Sequence, residues 1–183
     1  MSDERQVAEA RAGERRAVEV RDAVPAEYEA VGKIVAEAFF ADGQLDAPGS
    51  AFYADVLRDV ASRADAAEII VALDDGVVRG GVTFVPRGGP MADIAQDGEA
   101  EIRMLGVAPD AQGQGVGTAL VRECIARSAG ARRIVLSTQT VAHGAHRLYE
   151  RLGFRREPAR AWAPVPGVDL LCYALELTCP AER

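Results

Sequence analysis

Three glycines crowd five positions within QGQGVGT, residues 112–118. Gly113, Gly115 and Gly117 lead straight into an apolar pattern at helical spacing. Glycine costs backbone entropy wherever nothing requires it. A helix N-terminus offers unpaired N–H groups and the positive end of a dipole. Glycines just before it let an anion reach the backbone and permit the dihedrals of an anion nest. Gln112, Gly113, Gln114, Gly115, Val116, Gly117 and Thr118 therefore read as a phosphate or pyrophosphate cradle, or as a tight strand-to-helix turn. Two nucleotide loops do not match. A P-loop needs Lys after its last glycine, and here Thr118 follows Gly117. A dinucleotide fingerprint needs GxGxxG in an early βαβ unit; here the spacing is GxGxG in mid-chain.

The elements that must hold this turn follow from hydrophobic period and breakers. Residues 17–23 alternate as a strand. Residues 26–40 and 52–61 carry apolar residues at helical spacing, with a Gly/Pro/Asp-rich loop between them. Residues 67–73 and 77–86 flank DDG as a hairpin. The loop at 87–99 is longer than a hairpin needs. A strand at 100–107 feeds the glycine turn and a helix at 115–128. A strand at 132–138, a helix at 142–153 ending on Gly153, a weaker strand around 154–161 and a strand at 168–177 complete the chain. The order β α α β β β α β α β β predicts a mixed α/β layer fold, with helices against one sheet. Residues 1–16 read as a charged tail or frayed helix, and 17–183 as one domain.

About half the residues are hydrophobic and the net charge is −7, a poor basis for nucleic-acid binding and a better one for an amine partner. Cys124, Cys172 and Cys179 make no CxxC pair, so neither a disulfide framework nor a cysteine-based metal site is expected. The N-terminal stretch has no apolar core of a secretory signal, and no apolar run is long enough to span a membrane. A soluble, cytoplasmic protein is the expectation.

The stretch EIRMLGVAPDAQGQGVGTALV resembles the coenzyme-A-binding segment of the GNAT superfamily of N-acetyltransferases. There a strand leads to V-x-P and then to [QR]-x-x-G-x-[GA] opening a helix; Val107, Pro109, Gln112, Gly115 and Gly117 match. About 30 residues on, AHRLYERLGF is similar to the family's A-x-x-L-Y-x-x-x-G-F helix. The resemblance spans residues 17–177. It implies a mostly antiparallel sheet of six to seven strands, flanked by about four helices and splayed between the fourth and fifth strands. It implies acetyl-CoA as cofactor, its pyrophosphate on the glycine turn and its pantetheine arm beside Leu105, Gly106 and Val107. Gln114 would be the turn residue best able to add a side-chain contact.

Acetyl transfer to an amine must take a proton from the ammonium and supply one to the departing thiolate. By resemblance Tyr149 is the proton donor to the sulfur; its other reading is a helix tyrosine packed under Gly153 and Phe154. Glu101 stands where several family members hold a general base; its other reading is a solvated strand-end carboxylate. Arg103 shares its face, so an ion pair would depress the carboxyl pKa; Glu99 is the second same-face candidate. The family's Asn seven residues before the tyrosine is Ala142 here, so a contact near the cofactor is lost or moved. His146 reads as a surface histidine or a proton relay, with His143 beside it. Cys124 reads as a small core residue or a nucleophile. In this fold the acceptor pocket draws on the first two helices, the loop before the fourth strand and the final hairpin, which implicates Phe39, Phe40, Asp42, Tyr53 and Trp162, with AWAPVPG (161–167) as a lip. The resemblance implies a small-molecule or peptide amine as acceptor, and dimers are common in the family. A non-catalytic acyl-CoA sensor and a mononucleotide-binding α/β domain are the alternatives.

Overall fold

In the computed structural model, residues 18–48 and 50–177 are described. The charged stretch 1–16 and Cys179 lie outside them. One seven-stranded sheet takes the order β1-β2-β3-β4-β5-β7-β6. Its strands are β1 (Glu19–Asp22), β2 (Glu68–Asp74), β3 (Val77–Val85), β4 (Glu99–Val107), β5 (Arg133–Gln139), β6 (Arg155–Arg156) and β7 (Leu170–Glu176). All neighbours are antiparallel except β4 and β5. The helices are α1 (Tyr28–Ala41), α2 (Ala51–Arg58), α3 (Val60–Ala64), α4 (Val116–Arg127) and α5 (His143–Arg151).

Two expected elements differ. The helix expected at 52–61 is broken at Asp59, whose ψ of 73° leaves the helical region. Its carboxylate accepts from the Ser62 N–H and hydroxyl, so an N-cap starts α3 where α2 stops. The strand expected around 154–161 shrinks to two residues, because Pro158 lacks an N–H and opens a 3-10 turn.

Alternation sends each strand's side chains to two cores. One holds Ile70, Phe84, Ile102, Leu120, Leu136 and Tyr149 under α4 and α5. The other holds Val31, Val35, Leu57, Val71 and Met104 under α1 to α3. Met104 has a φ of +52°, and between Gly81 and Thr83 the β3 register meets one extra residue of β4. The extra residue is a β-bulge. It falls where β4 leaves β5: the pairs run from Glu99↔Arg133 to Ile102↔Leu136 and stop. Arg103 to Val107 then present an edge with no strand partner towards β5.

Gly106 sets the depth at which α1 lies on this edge. A Cβ there would stand 2.6 Å from the Val35 Cα, and backbone cannot step aside. Gly106→Ala is expected to destabilise the fold by about 2 kcal/mol through overpacking, read as a lowered denaturation midpoint.

Candidate functional site

The glycine turn sits on the surface at the end of β4. Residues 109–111 form a 3-10 turn, and Gly115, at φ +92°, occupies the N-cap of α4. Gly113 has a φ of +75°. A Cβ at Gly113 or Gly115 would meet no protein atom within 4 Å. Both glycines thus serve a positive φ and an open face, not internal packing. Among the described residues, the N–H groups of Gly113, Gly115, Val116, Gly117 and Thr118 find no acceptor. This is an anion cradle of free donors at a helix N-terminus, and a pyrophosphate fits it.

Gly117 has a different task. A Cβ there would come 3.2 Å from Leu148 and 3.5 Å from Val107, so its absence lets α4 settle against α5 and β4. The Gln114 side-chain amide donates to the Asp110 carbonyl at 2.7 Å and braces the turn. Leu105 and Val107 pack towards α4 and α5, while the Gly106 Cβ position points at α1.

Beside the splay lies a cavity of about 370 Å³, within the range of small-molecule sites. Its floor is Glu101, Ile102 and Met104 of β4 with Ser137, Thr138 and Gln139 of β5. Phe39, Phe52, Tyr53 and Val56 wall one side; Trp162 and Val165 wall the other. Of the expected pocket residues, Phe39, Tyr53 and Trp162 are brought together. Phe40 and Asp42 are exposed and outside the wall. The Trp162 indole N–H donates to the Ser137 hydroxyl at 3.1 Å, tying the proline-rich lip to β5.

Glu101 is almost fully buried. Its Oε2 accepts the N–H groups of Asp93, Ile94 and Ala95 at 3.0, 3.1 and 2.9 Å. Its Oε1 takes no partner among the described residues. The long loop before β4 thereby earns its length: it supplies the nest that orients this carboxylate. Burial pushes the carboxyl pKa above the ordinary value, against the pull of the Ala95 and Ile94 N–H groups and of Arg103. Arg103 depresses it in the expected sense, but burial outweighs that pull. Arg103 pairs with Asp93 at 2.5 Å and donates to the Met91 carbonyl, so its charge is largely met before it reaches Glu101.

Glu99 is not a base of this kind. It accepts from Arg132, Arg133 and Arg160 at 3.0, 2.6 and 3.1 Å and from the Gln96 N–H at 2.9 Å. Burial alone would raise its pKa, but the Gln96 N–H and the Arg133 and Arg160 guanidinium groups hold it below the ordinary value.

Tyr149 belongs to the other core. It is buried, with ring centroids 5.7 Å from Phe154 and 6.3 Å from Tyr173. Burial, with a smaller contribution from the Cys124 thiol, raises its pKa well above a free phenol, so it stays protonated at neutral pH. It is absent from the cavity wall that holds Glu101. The two residues face opposite sides of the sheet, and beyond Ile102 and Leu136 the strands between them no longer pair.

Ala142 is buried at the N-cap of α5 with no side-chain cap. His146 is half-buried, with Nε2 2.9 Å from the Gln139 carbonyl. Cys124 is a fully buried core residue. Among the described residues, no group of three or more His, Cys, Asp or Glu is placed to hold a metal, and no helix is long and apolar enough to cross a membrane.

The family model for acetyltransferases of the GNAT family matches residues 28–154, which include β4, the glycine turn and Tyr149. Solved structures give the same answer for the fold. A GCN5-related N-acetyltransferase from Kribbella flavida is 27% identical with a TM-score of 0.65, over 90% of this chain and 100% of that one. A histone acetyltransferase HPA2 and related acetyltransferase from Corynebacterium glutamicum is 22% identical with a TM-score of 0.69, over 90% and 99%. The PaiA N-acetyltransferase from Thermoplasma acidophilum, solved in complex with coenzyme A, is 15% identical with a TM-score of 0.66, over 88% and 99%. No curated protein matches by sequence. The family match runs across the glycine turn and the splayed strand, and on it the chain belongs to the GNAT family of acetyltransferases, which uses acetyl-CoA.

Proposed function

We propose that the protein acetylates a primary amine by direct attack in a ternary complex, with Glu101 as general base and Tyr149 as general acid. The observation that carries this reading is the Glu101 carboxylate: buried at the floor of a cavity at the splay, one oxygen fixed by three N–H groups, the other without a partner. A base must be ionisable, oriented and open to its proton, and Glu101 has all three properties. Acetyl-CoA, when bound, supplies the activated acyl group. The free N–H groups of Gly113, Gly115, Val116, Gly117 and Thr118 would hold its pyrophosphate, and Leu105, Gly106 and Val107 on the open edge of β4 would hold its arm. Glu101 Oε1 takes the proton of the acceptor ammonium, directly or through a water. As the amine nitrogen bonds to the acetyl carbon the C–S bond breaks, and the Tyr149 hydroxyl, which keeps its proton at neutral pH, would donate that proton to the departing coenzyme A sulfur.

Two substitutions test the assignment. Tyr149→Phe removes a hydroxyl and little else, so thiol release with a turned-over amine is expected to fall about tenfold or more with the denaturation midpoint nearly unchanged. Unchanged turnover would remove Tyr149 from the chemistry. Gly115→Ala puts a methyl in the cradle at φ +92°. The strain costs about 1–2 kcal/mol, and KM for acetyl-CoA is expected to rise about tenfold with the acceptor KM unchanged.

A further inference from the structure

The cavity has one charge without an ionic partner, in a bowl whose other walls are aromatic and aliphatic side chains with the neutral polar groups of Gln44, Ser50, Ser137, Thr138 and Gln139. Among the described residues its charged wall groups are Asp93, Glu101 and Arg103. Asp93 and Arg103 neutralise each other at 2.5 Å, and Arg103 also donates to the Met91 carbonyl. That leaves the Glu101 carboxylate facing Phe39, Phe52, Tyr53, Val56, Met104 and Trp162. Resting on the acetyl-transfer reading above, we infer that the acceptor is a small monoamine with an apolar or aromatic body, and not a free amino acid or a polyamine.

Three physical points lead there. An ammonium placed at Glu101 gains a charge partner at the floor, and the Tyr53 and Trp162 rings favour a nearby cation. The carboxylate of a free amino acid would share the bowl with Glu101 and meet no uncommitted cation, and burying an unpaired charge is costly. A second ammonium on a polyamine would find the other wall carboxylate, Asp93, already paired with Arg103, and its desolvation would go unmatched by an ion pair.

The chain contains a single tryptophan, Trp162, and it lines the cavity. Its fluorescence therefore reports binding without any turnover. The experiment pairs phenethylamine with L-phenylalanine, which differ by a carboxylate, and adds spermidine. Each is titrated against Trp162 fluorescence, and each is assayed for thiol release from acetyl-CoA. Phenethylamine is expected to give a saturable fluorescence change and a kcat/KM about 100-fold or more above both others. Asp93→Asn frees the Arg103 charge, so it is expected to narrow the preference over L-phenylalanine by about tenfold; a substitution that acted only through stability would leave the ratio alone.

Turnover of L-phenylalanine or spermidine at or above that of phenethylamine would overturn the inference while leaving acetyl transfer standing. No fluorescence response to phenethylamine would also overturn it. A saturable response to phenethylamine alone, with no turnover of any amine, would support the bowl's preference and sink the transfer reading instead.

Discussion

Glu101→Gln is expected to lower kcat/KM for acetyl transfer by about 100- to 1,000-fold and to leave the denaturation midpoint at pH 7 unchanged or higher. The two halves of this result have one cause. The nest of Asp93, Ile94 and Ala95 N–H groups needs an oxygen at Oε2, and an amide oxygen supplies it. What the variant loses is the charge and the basicity at Oε1, the atom that accepts no hydrogen bond among the described residues. The linkage sign follows from the raised pKa. The folded state binds this proton more tightly than the unfolded chain does. Its contribution to stability is therefore present below the ordinary carboxylate range and is lost as pH rises through the raised value. Neutral pH is on the costly side, so removing the charge there does not weaken the fold. Activity depends on the opposite protonation state. The wild-type kcat/KM should rise with pH through an apparent pKa above the usual glutamate value, and that limb should vanish in the variant. A variant that unfolds, or one that keeps the limb, would return Glu101 to a structural role.

The fold was legible from the sequence because its signals are local. Period-2 runs gave the strands, and period-3.6 runs gave α1, α4 and α5. The break at Asp59 was also local, but two helices meeting at an N-cap keep the same apolar spacing as one. The conformation of the glycine turn was legible for a similar reason: glycines crowded before a helix announce a positive φ, and Gly113 and Gly115 have one. Gly106 and Gly117 look the same on paper, yet they answer to helices that pack over them. The cavity at the splay was less legible. Phe39, Tyr53 and Trp162 come together there, while Phe40, one residue along α1, turns outward. Its floor on β5 and its bulge at Met104 depend on where one strand parts from another, and pairing register has no marker in a single sequence.

The same limit hid the division of labour between Glu99 and Glu101, which sit two residues apart on one face of β4 and are equally buried. Their environments separate them. Arg132 just before β5, Arg133 at its start and Arg160 in the turn before the lip all converge on Glu99; none of the three pairs with Glu101. Glu99→Gln should therefore act in the opposite sense to its neighbour. It leaves three guanidinium groups around a neutral amide, two of them largely buried. Breaking a buried pair costs about 3–5 kcal/mol. Arg132 is half exposed and solvent screens it, so about 3 kcal/mol is the expected loss. For a chain of this size that is a fall of roughly 6–12 °C in the denaturation midpoint. The pH dependence inverts as well. The lowered pKa of Glu99 means its stabilisation is present above the ordinary carboxylate value and is lost as pH falls through the folded value. The gap between wild type and Glu99→Gln should thus be widest near neutrality and close in acid. Because β4 carries both carboxylates, the loss of Glu99 should loosen the strand that aims Glu101. Residual activity should then fall with temperature along the unfolding curve, while kcat/KM well below the midpoint should change little. A large loss of kcat/KM at low temperature, with no change in the midpoint, would place Glu99 in the chemistry and not beneath it.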